Sequence, residues 1–234
     1  MLPTHNKTKN YAKFANLANL AYLCRKLSKL CYQNYKPSKM SYSIILQNIA
    51  KHISLNAHEE DLFVSMLEYQ KVKAKKMLLS EGDVCRHSIF VVNGCLRGFT
   101  IDNNGFEHVL SFAPQDWWIA DMYSLLSQKP GILYIQAMID TEMLLLSKLN
   151  QEKLYLQIPK FERFFRIITE KSLVAHQQRL VDNLSLSAQQ RYNKFCTIYP
   201  NLIYTIPQKQ VAAYIGVTPE FLSKMKSQML RKRK

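Results

Sequence analysis

Residues 206–229 read IPQKQVAAYIGVTPEFLSKMKSQM, and the reading of the whole chain works outward from this stretch. Pro207 suits a helix start, because its missing N–H falls in the turn where backbone donors go unpaired anyway. Val211, Ala212 and Ile215 share one apolar face. Gly216 ends that helix, since glycine takes the left-handed backbone a sharp turn requires. Thr218 is a good N-cap, Pro219 a good first residue and Glu220 a favourable first-turn charge for a second helix. In that second helix Leu222 and Met225 face inward, while Glu220, Ser223, Lys224 and Ser227 share the exposed side. Small Ala212, Gly216 at the turn and apolar Val217 let two helices cross closely, so the spacing predicts a helix-turn-helix rather than a plain helical hairpin.

An exposed face of Glu, Ser and Lys carries base-reading chemistry. A carboxylate accepts from cytosine N4, a hydroxyl bonds to bases or phosphate, and an ammonium donates to guanine O6 and N7. Lys209, Lys226, Arg231, Lys232, Arg233 and Lys234 are placed to hold flanking phosphates, which positions a module without choosing sequence. For the terminal RKRK a solvated tail is an equal reading.

Charge points the same way. The chain of 234 residues holds 32 Lys and Arg against 17 Asp and Glu, a formal net charge of +15, which favours a polyanionic partner. The excess sits at the ends. Residues 1–40 hold eight basic residues and no acidic one, and the last eleven, KMKSQMLRKRK, hold six more. Five scattered cysteines lack the CxxC pairing of a zinc site and the density of a secreted disulfide scaffold, so a cytoplasmic setting is expected. No apolar run reaches the ~18–20 residues of a membrane span, and no membrane partner is expected.

Upstream the texture changes three times. Residues 1–40 read as a basic leader, amphipathic from Phe14 to Leu30. They fit a surface helix, a disordered arm, or a stretch ahead of a true start at Met40. From Tyr42 to Glu68, Ile45, Ile49, Ile53, Leu62, Phe63, Met66 and Leu67 recur at helical intervals, which predicts two short helices. Between about Tyr69 and Ser147 short segments alternate with turn signals: KVKAKKMLL, EGD, SIFVVNGCLRGFTI, DNNG, FEHVLSFA, PQD, YIQAMID and EMLLLSK. They predict antiparallel strands at the spacing of a jelly roll. Asn104-Gly105 marks a tight hairpin, with positive φ expected at both central residues. The fold class expected is α+β: a β-roll with flanking helices over 41–158, a long helix over 159–185 and a helix-turn-helix domain over 186–234.

In the long helix Ile167, Leu173/Val174, Leu180/Val181 and Leu184 recur about every seven residues, and a stripe of that length has to bury against something. Packing on its own roll is one reading. Packing on its twin in a homodimer is the preferred one, because helix-turn-helix readers commonly bind two half-sites.

In this order, β-roll, long helix and helix-turn-helix resemble the Crp/Fnr family of bacterial regulators from about residue 42 to the end. The likeness is close in IPQKQVAAYIGVTPEFLSKMKSQM and weaker in the roll, where it rests on the EGD and NG turns. The resemblance implies a cytoplasmic, dimeric, double-stranded-DNA-binding regulator of transcription. It implies that Pro219, Glu220 and Lys224, with Ser223 on the same face, read bases, and that Gln208 and Lys209 contact phosphate. Pro219 cannot donate as the family's arginine does, and Lys224 keeps the charge of an arginine without its bidentate geometry. The preferred operator should therefore differ from that of the best-known members.

In members that bind cyclic nucleotides a Gly-Glu pair holds the ribose and an arginine holds the phosphate. Here Ala120-Asp121 stands in for Gly-Glu, and no arginine lies between Arg97 and Arg163. A buried phosphate would lack its main charge-assisted anchor, so no response to cyclic AMP and no cofactor are expected. Cys24 and Cys31 do not complete an iron–sulfur set. Trp117, Trp118 and Tyr123 read first as core and helix contacts; with Asp121 they are also the candidate lining of a pocket for an effector of unknown identity. Catalysis is not expected, since His87 and His108 form no closely spaced metal pair. A small-molecule-sensing module acting on protein partners is the alternative function. Activation would add RNA polymerase as a partner, but no surface for it is legible in the residues.

Overall fold

The computed structural model describes residues 39–231, with side chains described from Tyr42 onward. The expectations for the leader before residue 39 and for Lys232, Arg233 and Lys234 lie outside the described residues. Helices α1 (Lys39–Ala50) and α2 (Ala57–Ser65) come first. The strands follow as β1 (Leu67–Val72), β2 (Met77–Leu79), β3 (His87–Asn93), β4 (Cys95–Ile101), β5 (Glu107–Pro114) and β6 (Trp118–Ile119). A short helix α3 (Met122–Ser127) precedes β7 (Tyr134–Ala137) and β8 (Thr141–Ser147). Helices α4 (Lys148–Gln157), α5 (Lys160–Ser185), α6 (Ala188–Ile198), α7 (Leu202–Thr205), α8 (Gln208–Ile215) and α9 (Pro219–Arg231) complete the chain. None of these helices is long and apolar enough to cross a membrane.

The strands form two antiparallel four-stranded sheets, β1-β8-β3-β6 and β2-β7-β4-β5. This is the expected α+β roll, with two local corrections. SIFVVNGCLRGFTI, read as one segment, is two strands in different sheets. Gly94 makes the switch at φ +100, where a Cβ would lie 2.6 Å from the Asp140 carbonyl oxygen, so only glycine fits. At the DNNG turn only Gly105 has positive φ, +81. The Gly105 N–H donates to the Asp102 carbonyl at 2.9 Å, and the Asp102 carboxylate accepts from Asn104 N–H and Phe106 N–H. The aspartate thus stabilises a wider turn with Asn104 in an ordinary conformation.

Each sheet carries buried residues on both faces, giving four layers. Ile89, Val91, Leu96, Ala113, Ile135, Ala137, Met143 and Leu145 fill the space between them. Phe90, Val92, Leu144 and Leu146 face the other way, against Ile45 and Ile49 of α1, Phe63 of α2, Leu154 of α4 and Phe161, Phe164 and Phe165 of α5. On the outer face of the second sheet, Cys95, Phe99, Val109 and Phe112 share a core with Tyr192, Phe195, Tyr199, Val211, Ala212, Ile215, Leu222 and Met225. The C-terminal helices are therefore packed onto the roll.

Asp116, before β6, takes φ +72 just ahead of two adjacent tryptophans whose rings face different ways. Trp118 turns into the core beside Phe90, Phe164 and Phe165, while the ring of Trp117 meets Tyr199. Asn48 of α1 fixes this turn: it donates to Asp116 Oδ1 at 2.8 Å and accepts from Trp118 Nε1 at 3.2 Å.

Candidate nucleic-acid interface

The two helices of residues 206–229 form from the local signals in the sequence. Pro207 precedes α8, and Gly216 closes it at φ +74. The Val217 N–H returns to the Ala212 carbonyl at 3.1 Å. Thr218 caps α9, its hydroxyl accepting from Phe221 N–H at 3.2 Å. Val211, Ala212, Ile215, Leu222 and Met225 are all buried between the helices and what lies beneath them. Arg191 of α6 donates to the last carbonyl of α8, Ile215, at 2.9 Å, and to the Leu186 carbonyl at 2.6 Å, placing a cation at a helix C-terminus.

The candidate base-reading residues Pro219, Glu220, Ser223 and Lys224 are all exposed along α9. Gln208, Lys209 and Arg231 are exposed as well. Lys226 is half-buried and donates to Gln208 Oε1 at 3.0 Å, which brings two candidate phosphate contacts together across the helix pair. Phe221, which sequence reasoning did not single out, stands on the flank of the same helix at 52% exposure.

Beneath the pair lies a charged network that was not legible beforehand. Arg97 of β4 is 4% exposed, and its guanidinium lies 3.9 Å from the centroid of the Phe99 ring. It donates to both Glu107 oxygens, at 2.6 and 3.1 Å, and to Gln136 Oε1 at 2.6 and 3.0 Å. The same guanidinium reaches Gln210 Oε1 of α8, whose amide nitrogen donates to Glu107 at 3.2 Å. The Arg97 contact holds the Glu107 carboxyl below its ordinary pKa, with smaller contributions from Gln210 and Lys209. Arg179 of α5 makes the second link. It donates to the Val109 carbonyl of β5 at 2.6 Å and the Tyr214 carbonyl of α8 at 2.8 Å, and lies over the Tyr214 ring.

Burial and directional contacts act together here: burying a Val or Phe side chain stabilises by about 1.5–3 kcal/mol, and a hydrogen bond from a charged group contributes about as much. Phe99, Val109 and Phe112 supply the non-directional part, and Gln210 and Arg179 add directional contacts between the sheet and α8. Phe112 is the hub, with ring contacts to Phe195, Tyr199 and Tyr214 at 5.5–6.1 Å. Burial pushes the Tyr192 hydroxyl up to about 12 and raises that of Tyr199 further, so both stay neutral.

In the long helix α5, the first half is buried by Phe161, Phe164 and Phe165, and Ile167 is half-buried. Beyond it the stripe is open: Leu173, Val174, Leu180, Val181 and Leu184 are 48–82% exposed. Packing of this stripe on its own roll, the other sequence reading, is not what the structure has. Asp182, on the same turns, instead faces α6 and pairs with Lys194 at 2.5 Å.

The four candidate effector residues do not converge. Trp118 is in the core, Trp117 lies against Tyr199, and Tyr123 is on the surface at 59% exposure. Asp121 is 2% exposed and caps α3, its carboxylate accepting from Ser124 N–H at 3.1 Å and Leu133 N–H at 3.3 Å. Gly131 packs against that carboxylate with no room for a side chain. The Asp121 carboxylate is thus engaged by the chain's own backbone.

No protein-family model and no curated protein matches the sequence. Solved structures do match. The chain is similar to FixK2 from Bradyrhizobium japonicum at 17% identity, over 71% of this chain and 85% of that one, with a TM-score of 0.64. It is similar to the c-di-GMP responsive global regulator CLP of Xanthomonas campestris at 12% identity, over 76% and 93%, with a TM-score of 0.62. A putative transcriptional regulator of the Crp/Fnr family from Eubacterium rectale matches at 16% identity, over 76% and 85%, with a TM-score of 0.61. The chain has the fold of Crp/Fnr regulators, as the resemblance implied.

Proposed function

We propose that this chain is a sequence-specific, homodimeric DNA-binding regulator of transcription that does not answer to cyclic AMP. The observation that carries the reading is the open face of α9. Glu220, Ser223 and Lys224 project from a helix whose opposite side is fixed by Leu222 and Met225, and Lys209 and Arg231 flank them. A rigid helix with acceptor and donor groups on one side suits the major groove, and the basic flanks suit phosphate. The uncovered stripe on α5 supports pairing with a twin, since exposed apolar area of that extent favours burial. The self-satisfied Asp121 and the run from 98 to 162 without arginine support a site that does not take a cyclic phosphate.

The test is retention of a randomised duplex pool by the purified chain at moderate salt, with sequencing of what is kept. A two-fold-symmetric motif, lost in the Glu220→Ala/Lys224→Ala variant, is the expected result. Retention that is independent of sequence and unchanged in the variant would mean that the basic surface binds DNA without reading it.

A further inference from the structure

A reader made of two heads needs more than two recognition helices. It needs them at a set distance and angle, because its half-sites are set by the pitch of the duplex. The heads of a two-domain protein swing unless a large apolar interface holds them. In this chain such an interface is present. The outer face of the β2-β7-β4-β5 sheet offers Phe99, Val109 and Phe112 to α6 and α8, and none of the three is more than 1% exposed. At its centre a buried guanidinium sits in a fork of fixed partners, Glu107 and Gln136, and presents its remaining N–H to Gln210 of the head.

The division of partners matters. Arg97, Glu107 and Gln136 all belong to the roll, so this ion pair is complete whether or not the head is present. The head contributes one neutral amide. An amide between a carboxylate and a guanidinium can donate to the one and accept from the other only in one orientation, so the contact is sensitive to tilt more than to distance. Arg179 adds a second fixed point one helical turn further along α8, at the Tyr214 carbonyl. Two directional points and an apolar face together resist rotation of the helix pair on the sheet.

We propose that this face, with Arg97 and Gln210 as its orienting contact, is a docking platform that fixes each reading head on its roll and thereby makes the dimer select operators by the spacing of their half-sites. Arg97, Gln210 and Phe112 are positioning residues. They touch no DNA; they act through α9. The inference rests on the dimeric DNA-reading function proposed above.

The experiment uses the full chain and the operator found by selection. Base pairs are added or removed one at a time between the half-sites, each turning one half-site by about 36° and shifting it by about 3.4 Å. The wild type is expected to lose about tenfold or more in affinity for each step away from the best spacing. Phe112→Ala and, more mildly, Gln210→Ala are expected to flatten this dependence to within about threefold per step. Their half-site motif should remain unchanged and their binding at the best spacing should be weaker. Phe112 lies outside the core between the sheets, and Gln210→Ala removes only an amide, so at least one variant folds.

A variant that binds more weakly but keeps the full spacing preference overturns the platform and leaves only a structural role. A wild type indifferent to spacing overturns it as well, while leaving DNA reading intact. If neither the wild type nor any variant retains a motif, even as single half-sites, the DNA-reading function fails and the platform with it.

Discussion

The ring of Trp117 lies 5.5 Å from that of Tyr199 at a tilt of 43°, joining the turn before β6 to the end of α6. One ring belongs to the roll and the other to the C-terminal helices, so Trp117 reports their contact. In a Trp118→Phe background the remaining indole isolates that signal.

Phe112→Ala should cost about 3–5 kcal/mol, the usual loss for a fully buried phenylalanine. The loss should fall on the docking contact. Wild type is expected to melt in one transition by circular dichroism and Trp117 emission; in the variant Trp117 should change first, below the melting of the roll. A single unshifted transition would count against the four-layer packing.

The pH dependence follows from Glu107. Gln210 of α8 donates to this carboxylate and adds to the lowering that Arg97 causes, so the docking contact is complete above the usual glutamate range and weakens as pH falls through the lowered folded-state value. Trp117 emission should therefore be flat near neutrality and shift on the acid side. Glu107→Gln should flatten that acid limb; an acid limb identical in the variant would place the titration elsewhere.

Lys209→Ala should weaken binding by a similar factor on every sequence and reduce the slope of log affinity against log salt by about 1. Loss confined to one sequence would make Lys209 a base reader instead.

Leu180→Asp/Leu184→Asp places charges in the open stripe of α5. The expected outcome in sedimentation is a monomer with an unchanged circular dichroism spectrum. A dimer of undiminished affinity would move the pairing surface off this helix.

Gly216→Ala should cost about 1–2 kcal/mol. Its Cβ would meet nothing within 4 Å, so the cost is the left-handed backbone alone. Gly216→Asn should cost less, since asparagine tolerates that region; equal melting temperatures for both would contradict the turn geometry.

Much of this molecule is legible in its sequence because local rules and packing agree there. Gly216, Thr218 and Pro219 act within their own turns, and Val211, Ala212 and Ile215 repeat at helical spacing. The stripe of α5 is legible for the same reason. Helix α6 has a local signal that went unread: Ser187 and Gln190 form a capping box, each side chain accepting from the other's backbone N–H. The docking network had no such signal. Arg97 and Gln210 are 113 residues apart, and nothing local distinguishes a buried orienting arginine from a solvated one. One trace remains in CLRGF, five consecutive buried residues where a sheet with one wet face would alternate. The candidate effector residues lie apart for a related reason: adjacency of Trp117 and Trp118 in the sequence puts them on opposite sides of an extended chain, one against Tyr199 and one against Phe90.

The turn at Asp116 gives the first helix a reach its position does not advertise. Asn48 holds the left-handed Asp116 and the Trp118 indole at once, so one side chain steadies the stretch 116–118 that carries both rings. A lesion at Asn48 would free both rings, loosening the core under α1 on one side and the Tyr199 contact on the other. A change in α1 would then surface at the C-terminal helices, without any residue of α8 or α9 having been touched.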